Sequence, residues 1–252
     1  DLDALEQVIN QYPIKACWLM THFQNPLGCT MSWPQKEQLV ALLQQNNISL
    51  IEDDVYGELY FGADRPLPAK ALDQHRQILH CSSFSKCLAP GFRVGWVAAG
   101  EHAQRIQHLQ LMSTVSASVP TQLAIADYLS QGGYDTHLRR LRRLMEQRLN
   151  TLHQAVIEHF PKNVKISHPE GGYFLWLELE PPFNASELYR RALEQGVSIA
   201  PGRMFTTGSQ FDHCFRLNAS FAWSEQSEQA IRILAQLINQ LTSATDNSRS
   251  RR

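Results

Sequence analysis

No two of the five cysteines stand in a CxxC arrangement; Cys17, Cys29, Cys81, Cys87 and Cys214 lie apart, which argues against a zinc ribbon or a disulfide framework. The ten histidines include no HExxH, so the helix-borne zinc site of metalloproteases is missing as well, and no metal is expected. An excess of one charge is also lacking. Lys and Arg number 23 against 24 Asp and Glu, a formal net charge of −1, and so balanced a chain has no general attraction for nucleic acid or anionic membranes. No apolar run reaches the length of a bilayer span, Val94 to Ala99 being at most a buried strand. The opening Asp1-Leu2-Asp3-Ala4-Leu5-Glu6 is an acidic helix start and contains no secretory signal. Together these absences predict a cytoplasmic protein with reduced thiols and no membrane partner. What remains is 252 residues, 43% hydrophobic and 19% charged, enough for one large or two medium cores.

Taken in order, the chain predicts an α/β fold. Leu2, Leu5, Val8 and Ile9 recur at helical spacing. Ala16 to Thr21 is expected as a strand buried on both faces, followed by the turn-rich loop His22-Phe23-Gln24-Asn25-Pro26-Leu27-Gly28. Ser32 caps a helix with Pro34 in its first turn and Leu39, Leu42 and Leu43 on its apolar face. Ile48 to Ile51 and Gln77 to Cys81 are the next strands, and Arg93 to Ala99 a fourth. Strand, helix, strand at this spacing predicts a parallel sheet with right-handed crossovers. Residues 101–130 are read as helical and connecting, with a polar break from Ser113 to Pro120.

A long helix follows from Tyr134 to Phe160, with Leu138, Leu141, Met145, Leu149 and Leu152 on one stripe. Arg139, Arg140, Arg142 and Arg143 between them read as a solvated face, since no aromatic residues accompany them. After Pro161 the pattern turns α+β. Strands are expected over Val164 to Ser167, Tyr173 to Leu179 (alternating and half-buried), Val197 to Ala200 and Phe215 to Ala219. Helices are expected from about Ser186 to Gln195 and from Ser224 to about Leu241. The predicted division is a partial large domain over 1–120, a connecting helix and small α+β domain over 121–241, and a disordered polar tail over 242–252. The boundary falls between 110 and 135.

Polar clusters come directly after the strands: Asn25, then Asp53 with Tyr56, then Ser83 with Lys86. In an open parallel sheet those carboxyl ends are where ligands bind. Each cluster has a bland reading by itself. Asn-Pro is a common turn, paired aspartates often cap a helix, and a lysine after a strand is usually solvated. Their recurrence at three strand ends favours one shared site. A lysine there forms an imine with an aldehyde, provided burial or a neighbouring cation keeps its amine partly neutral. Nearby hydroxyls and the fork of Arg93 are the donors a phosphate dianion needs. An aldehyde and a phosphate on one small molecule describe pyridoxal 5'-phosphate.

Four stretches carry a family resemblance: Asn25-Pro26-Leu27-Gly28, Asp53-Asp54-Val55-Tyr56, Ser83-Phe84-Ser85-Lys86 with Arg93, and Phe215-Arg216-Leu217-Asn218. In this order and spacing they look like the class I/II aminotransferase pattern of the fold-type-I pyridoxal-phosphate enzymes. The wording IEDDVYGELYF, SFSKCLAPGFRVGW, GGYFLW and SIAPGRMF is similar to the aminotransferase-like domain of MocR-type regulators of the GntR family. The resemblance implies an α/β fold with a mostly parallel large-domain sheet, incomplete at its amino end, and a small α+β carboxy-terminal domain. It implies that Lys86 holds the cofactor and shuttles the substrate proton, and that Asp53, three residues before Tyr56, sits on the pyridine nitrogen. Asn25 and Tyr56 would bond the ring's phenolic oxygen, and Ser83, Ser85 and Arg93 would take the phosphate. Arg216 would bind the substrate carboxylate, with Asn25 and Tyr173 beside the substrate.

The implied reaction moves an amino group between an amino acid and a 2-oxo acid. The alternative is a ligand-sensing domain with little turnover. A decarboxylase, racemase or lyase on the same fold, or a cofactor-free interaction module, are further readings. Complete members of the family carry earlier strands, a glycine-containing phosphate turn and much of a homodimer contact, so the chain is expected to be the carboxy-terminal portion of a longer protein. The winged helix of MocR-type regulators is absent as well, and any DNA binding would belong to that part.

Overall fold

The computed structural model describes residues 1–249. The chain forms two compact units, Asp1–Gln24 with Cys29–Arg142, and Asn25–Gly28 with Arg143–Arg252.

In the first unit, helix α1 (Leu2–Gln11) is capped by the Asp1 carboxylate, which accepts from the Ala4 N–H at 3.0 Å. Strand β1 (Ala16–Leu19) precedes helix α2 (Trp33–Gln45), where Gln35 Oε1 accepts from both the N–H and the hydroxyl of Ser32 at 2.9 Å. Strands β2 (Ser49–Asp53), β3 (Ile78–Ser83) and β4 (Gly95–Ala98) complete a sheet in the order β1-β2-β3-β4. Its core joins Leu39, Val40 and Leu43 of α2 to Ile48, Leu50, Ala69 and Ile78, and burying each of the leucine, isoleucine and valine side chains contributes about 1.5–3 kcal/mol.

Two expectations need correcting here. β1 is an edge strand, and Trp18 is 71% exposed; Cys17 and Leu19 pack on the core while the other face is open. β4 runs antiparallel to β3, unlike the parallel β1, β2 and β3. Only a short turn and a single 3₁₀ segment, Pro90–Phe92, separate those two strands, too little chain for a crossover.

Helices α3 (Ala103–Thr114) and α4 (Val119–Ser130) flank the expected polar break. Helix α5 (Gly133–His159) contains the boundary between the units, later than the expected 110–135. Its first turns belong to the first unit. Tyr134 Oη lies 3.2 Å from Cys87 Sγ, His137 Nε2 bonds the Cys87 carbonyl at 2.7 Å, and Arg142 stacks 4.2 Å over the Tyr60 ring. A helix that changes partners without a break leaves no mark in its periodicity.

The second unit holds strands β5 (Lys165–Ile166) and β6 (Phe174–Glu178), helix α6 (Ala185–Glu194), strands β7 (Ala200–Pro201) and β8 (Cys214–Asn218), and helix α7 (Glu225–Arg249). Its sheet is antiparallel in the order β5-β6-β8-β7. β6 is buried from Phe174 through Leu177 and is not half-buried as expected; every residue of Phe-Leu-Trp-Leu is apolar, so both faces are covered. β7 starts at Ala200 and takes up only the end of the expected Val197 to Ala200. α7 continues past Leu241, so the disordered tail expected from 242 is helical to Arg249, and residues 250–252 lie outside the described residues. No glycine or proline stops it, and the hydroxyls of Thr242 and Ser243 bond back to the carbonyls of Ile238 and Asn239 at 2.9 Å. No helix among the described residues is long and apolar enough to cross a membrane.

Candidate functional site

Parallel register aligns Asp53, the last residue of β2, with Cys81 of β3, so the Asp53–Tyr56 and Ser83–Lys86 stretches leave the sheet at one edge. Beyond β3 the Lys86 amine lies 5.9 Å from the centroid of the buried Tyr56 ring, a cation–π distance. Lys86 itself is exposed. Of the two conditions the sequence set for its amine, burial or a neighbouring cation, burial is not met in this unit, although the first turns of α5 pack on Cys87 of the same turn. Arg93 adopts a left-handed φ of 54°, and its Nη1 donates to Ser85 Oγ at 3.1 Å. Ser83 pairs with Gly95 across β3 and β4, and a Cβ on Gly95 would stand 2.9 Å from the Ser82 carbonyl oxygen. Glycine lets the two strands approach.

The adjacent aspartates have different environments. Asp53 is half-buried, and its Oδ1 has no hydrogen-bond partner among the described residues. Burial raises its carboxyl above the usual carboxylate range, the Val55 N–H and the Trp18 indole pull it down, and the charge of Asp54 raises it again. Such an oxygen is an acceptor awaiting an N–H donor. Asp54 is buried and saturated: its Oδ1 bonds His22 Nδ1 at 2.7 Å, its Oδ2 accepts from Arg65 Nη2 at 2.9 Å, and its backbone carbonyl accepts from Ser82 Oγ at 3.0 Å.

Asp54 belongs to a network that the sequence reading did not find. Lys36 Nζ lies 2.6 Å from His22 Nε2 and donates to the Leu67 carbonyl at 2.7 Å. His80 bridges Glu52 at 3.0 Å and Asp54 at 3.5 Å. Glu52 also accepts from Thr21 Oγ1 at 2.6 Å and from the Ala69 and Lys70 N–H groups at 2.7 and 3.0 Å. Burial opposes its ionisation, and bonds from His80, Thr21, Ala69 and Lys70 outweigh that, holding its carboxyl at about 2. Burial also lowers the Lys36 amine, against the charges of Glu52 and Asp54. The signal was strand parity. Glu52 and Asp54 alternate with Leu50 on the covered face of β2, whereas Asp53 alternates with Ile51 on the other.

In the second unit Arg216, on β8, stands opposite Trp176 of β6 and Ala200 of β7. Its Nη1 donates to Asn25 Oδ1. The guanidinium carbon lies 4.0 Å from the Phe174 ring centroid and 5.0 Å from that of Phe205, so two rings fix the plane of the fork. Phe205 was not singled out from the sequence. Asn25 reaches this position because its loop packs with the second unit. Asn25-Pro26 is cis, and Gly28 has φ +72° with space for a Cβ only 2.9 Å from Pro169 Cβ. Tyr173 is half-buried, its ring 4.6 Å edge-on from Phe174. The predicted residues thus fall into two sets. Asp53, Tyr56, Ser83, Ser85, Lys86 and Arg93 belong to the first unit, and Asn25, Tyr173 and Arg216 to the second.

Known proteins share this arrangement of chain. The HTH-type transcriptional regulator YdcR of Escherichia coli is 58% identical over 240 residues, 95% of this chain and 51% of the regulator. Aromatic-amino-acid aminotransferase 1 of Thermococcus litoralis is 30% identical over 246 residues, 95% of this chain and 59% of that enzyme. The crystal structure of LysN, the alpha-aminoadipate aminotransferase of Thermus thermophilus complexed with N-(5'-phosphopyridoxyl)-L-leucine, superposes with a TM-score of 0.90 at 29% identity, covering 97% of this chain and 64% of that one. The chain spans about half the length of the regulators it matches. The family model described as aminotransferase class I and II matches residues 1–234, and with the sheet and strand-end clusters described above the chain belongs to that family, as a domain of the fold-type-I aminotransferase architecture shared with HTH-type regulators.

Proposed function

We propose that the protein holds pyridoxal 5'-phosphate and transfers an amino group between an amino acid and a 2-oxo acid. The bound cofactor would supply an electron sink for the carbanion formed at the substrate α-carbon. The observation that carries the reading is the unpartnered, buried Oδ1 of Asp53. It is the acceptor a protonated pyridine nitrogen needs, and a carboxylate there keeps that nitrogen protonated. Saturated Asp54 has no such oxygen to offer.

The other residues take roles their chemistry allows. Lys86 would hold the cofactor by its aldehyde and would take and return the substrate α-proton. Ser83, Ser85 and Arg93 donate to the phosphate, with Ser85 already on the Arg93 fork. Tyr56 and Asn25 donate to the ring's phenolic oxygen. Arg216, its plane fixed by Phe174 and Phe205, binds the substrate carboxylate in a bidentate pair, and Tyr173 lines the substrate side. The phosphopyridoxyl-leucine in the Thermus thermophilus relative supports this use of the fold.

A second reading rests on the 58% identity to an HTH-type regulator. There the same residues bind cofactor and an amino compound, and the outcome is altered DNA binding by another part of the protein, with little turnover. A homodimer suits both readings. The test is the visible spectrum of the whole protein with pyridoxal phosphate, before and after amino acids are added, with 2-oxo acid measured alongside. A cofactor band that Lys86→Ala abolishes is the expected result. A spectrum unchanged in Lys86→Ala overturns the assignment, and a spectral change without 2-oxo acid favours the sensing reading.

A further inference from the structure

The network under β2 has a feature that plain structural support does not require. Lys36 is 2% exposed, and its amine meets His22 Nε2 at 2.6 Å and the Leu67 carbonyl at 2.7 Å, with no hydrogen bond to a carboxylate among the described residues. A charged lysine on Nε2 makes that nitrogen the acceptor, so Nδ1–H of His22 donates to Asp54 Oδ1, at 2.7 Å. The lysine and arginine facing Glu52 and Asp54 are Lys36, through His22, and Arg65, which also pairs with Glu58 at 3.1 Å. Asp53 stands between those two carboxylates on the opposite face of the strand. Neighbouring carboxylates resist joint ionisation, so the state of Asp53 depends on how completely Asp54 is compensated.

We infer that Lys36 is a positioning residue for the cofactor's pyridine nitrogen: acting through His22, it compensates Asp54 and thereby keeps Asp53 an anion. The inference rests on the role given above to Asp53. Lys36 belongs to α2 and His22 to the loop after β1, and neither residue is among those given a contact to the cofactor.

The test is a charge-balance cycle in the whole protein, read as the dissociation constant for pyridoxal phosphate from quenching of tryptophan fluorescence. Lys36→Met leaves Glu52 and Asp54 with Arg65 as their one remaining lysine or arginine partner among the described residues and is expected to weaken binding about tenfold. Adding Asp54→Asn to it removes the surplus charge and is expected to restore affinity to within about threefold of wild type. A purely structural role predicts affinity that only follows folding stability, so the urea midpoint is read beside each dissociation constant, and affinity changes fully accounted for by the midpoints overturn the inference. Wild-type affinity in a folded Lys36→Met protein, or no recovery in the double variant, overturns the inference. Should Lys36→Met fail to fold, Arg65→Gln removes the other cation on Asp54 from a partly exposed position. It is expected to weaken binding about twofold, with recovery on Asp54→Asn, and unchanged affinity there overturns the inference equally. Asp53→Asn separates the two claims. If that variant binds cofactor as wild type does, the Asp53 assignment falls and this inference with it. If it binds weakly while Lys36→Met does not, only the inference about Lys36 falls.

Discussion

Lys36 and Lys86 both belong to the first unit, but their surroundings are opposite. Lys36 is buried against His22 and the Leu67 carbonyl on the covered face of the sheet. Lys86 is exposed beyond the edge of the same sheet, with the Tyr56 ring 5.9 Å away as its recorded neighbour. The two aspartates repeat the contrast, Asp54 saturated and Asp53 with an oxygen to spare. Groups that hold the fold together have their bonding capacity filled by the fold. Asp53, proposed to meet a small molecule, keeps one oxygen open, and it sits between Glu52 and Asp54 on the alternate face of one strand.

The sharpest way to break this contrast is Lys36→Met, which strands part of a buried ionic network and is expected to cost about 3–5 kcal/mol of stability, read from the urea midpoint. Glu52→Gln comes next. The Glu52 carboxyl lies at about 2 in the folded chain against an ordinary 4.5. A depressed carboxylate stabilises fully above the higher value and loses its contribution as pH falls through the lower. Wild-type stability should therefore drop by about 3 kcal/mol between these pH values, and Glu52→Gln should lack that slope. Gly28→Ala extends the comparison to the second unit. Its φ of +72° and the Pro169 contact at 2.9 Å predict a loss of about 1–3 kcal/mol, with weaker substrate binding as the Asn25 loop shifts. The smallest effect on folding is expected of Lys86→Ala, within about 1 kcal/mol of wild type because the side chain is exposed and its ring contact, to Tyr56, lies at 5.9 Å. A large loss there would place Lys86 among the structural lysines.

Much of this was legible in the sequence, and what was missed has identifiable causes. The apolar runs marked β1, β2, β3 and β8, and the Ser32–Pro34 start of α2 was written in capping residues. The choice of Asp53 over Asp54 followed motif spacing, and strand parity would have given the same answer with a physical reason. Contacts between distant segments were not legible. His22 gives no hint that Lys36 will lie on its ring, and Phe205 none that Arg216 will lie under it. Burial was misjudged where neighbours decide it. Trp18 looked like core in an apolar run and is open to solvent, while the expected half-burial of β6 gave way to full coverage. The late boundary inside α5 depends on which side chains its turns meet, for instance Tyr134 on Cys87, and helical periodicity carries no such information.

The edge position of β1 has a practical consequence. One side of that strand pairs with β2, and among the described residues no strand lies beside the backbone donors and acceptors of the other. A solution of this chain by itself offers each molecule a ready seam for stitching onto the next. Clumping that grows with concentration is the behaviour to expect of it, and light scattering at rising concentration would register it before any assay of chemistry could begin.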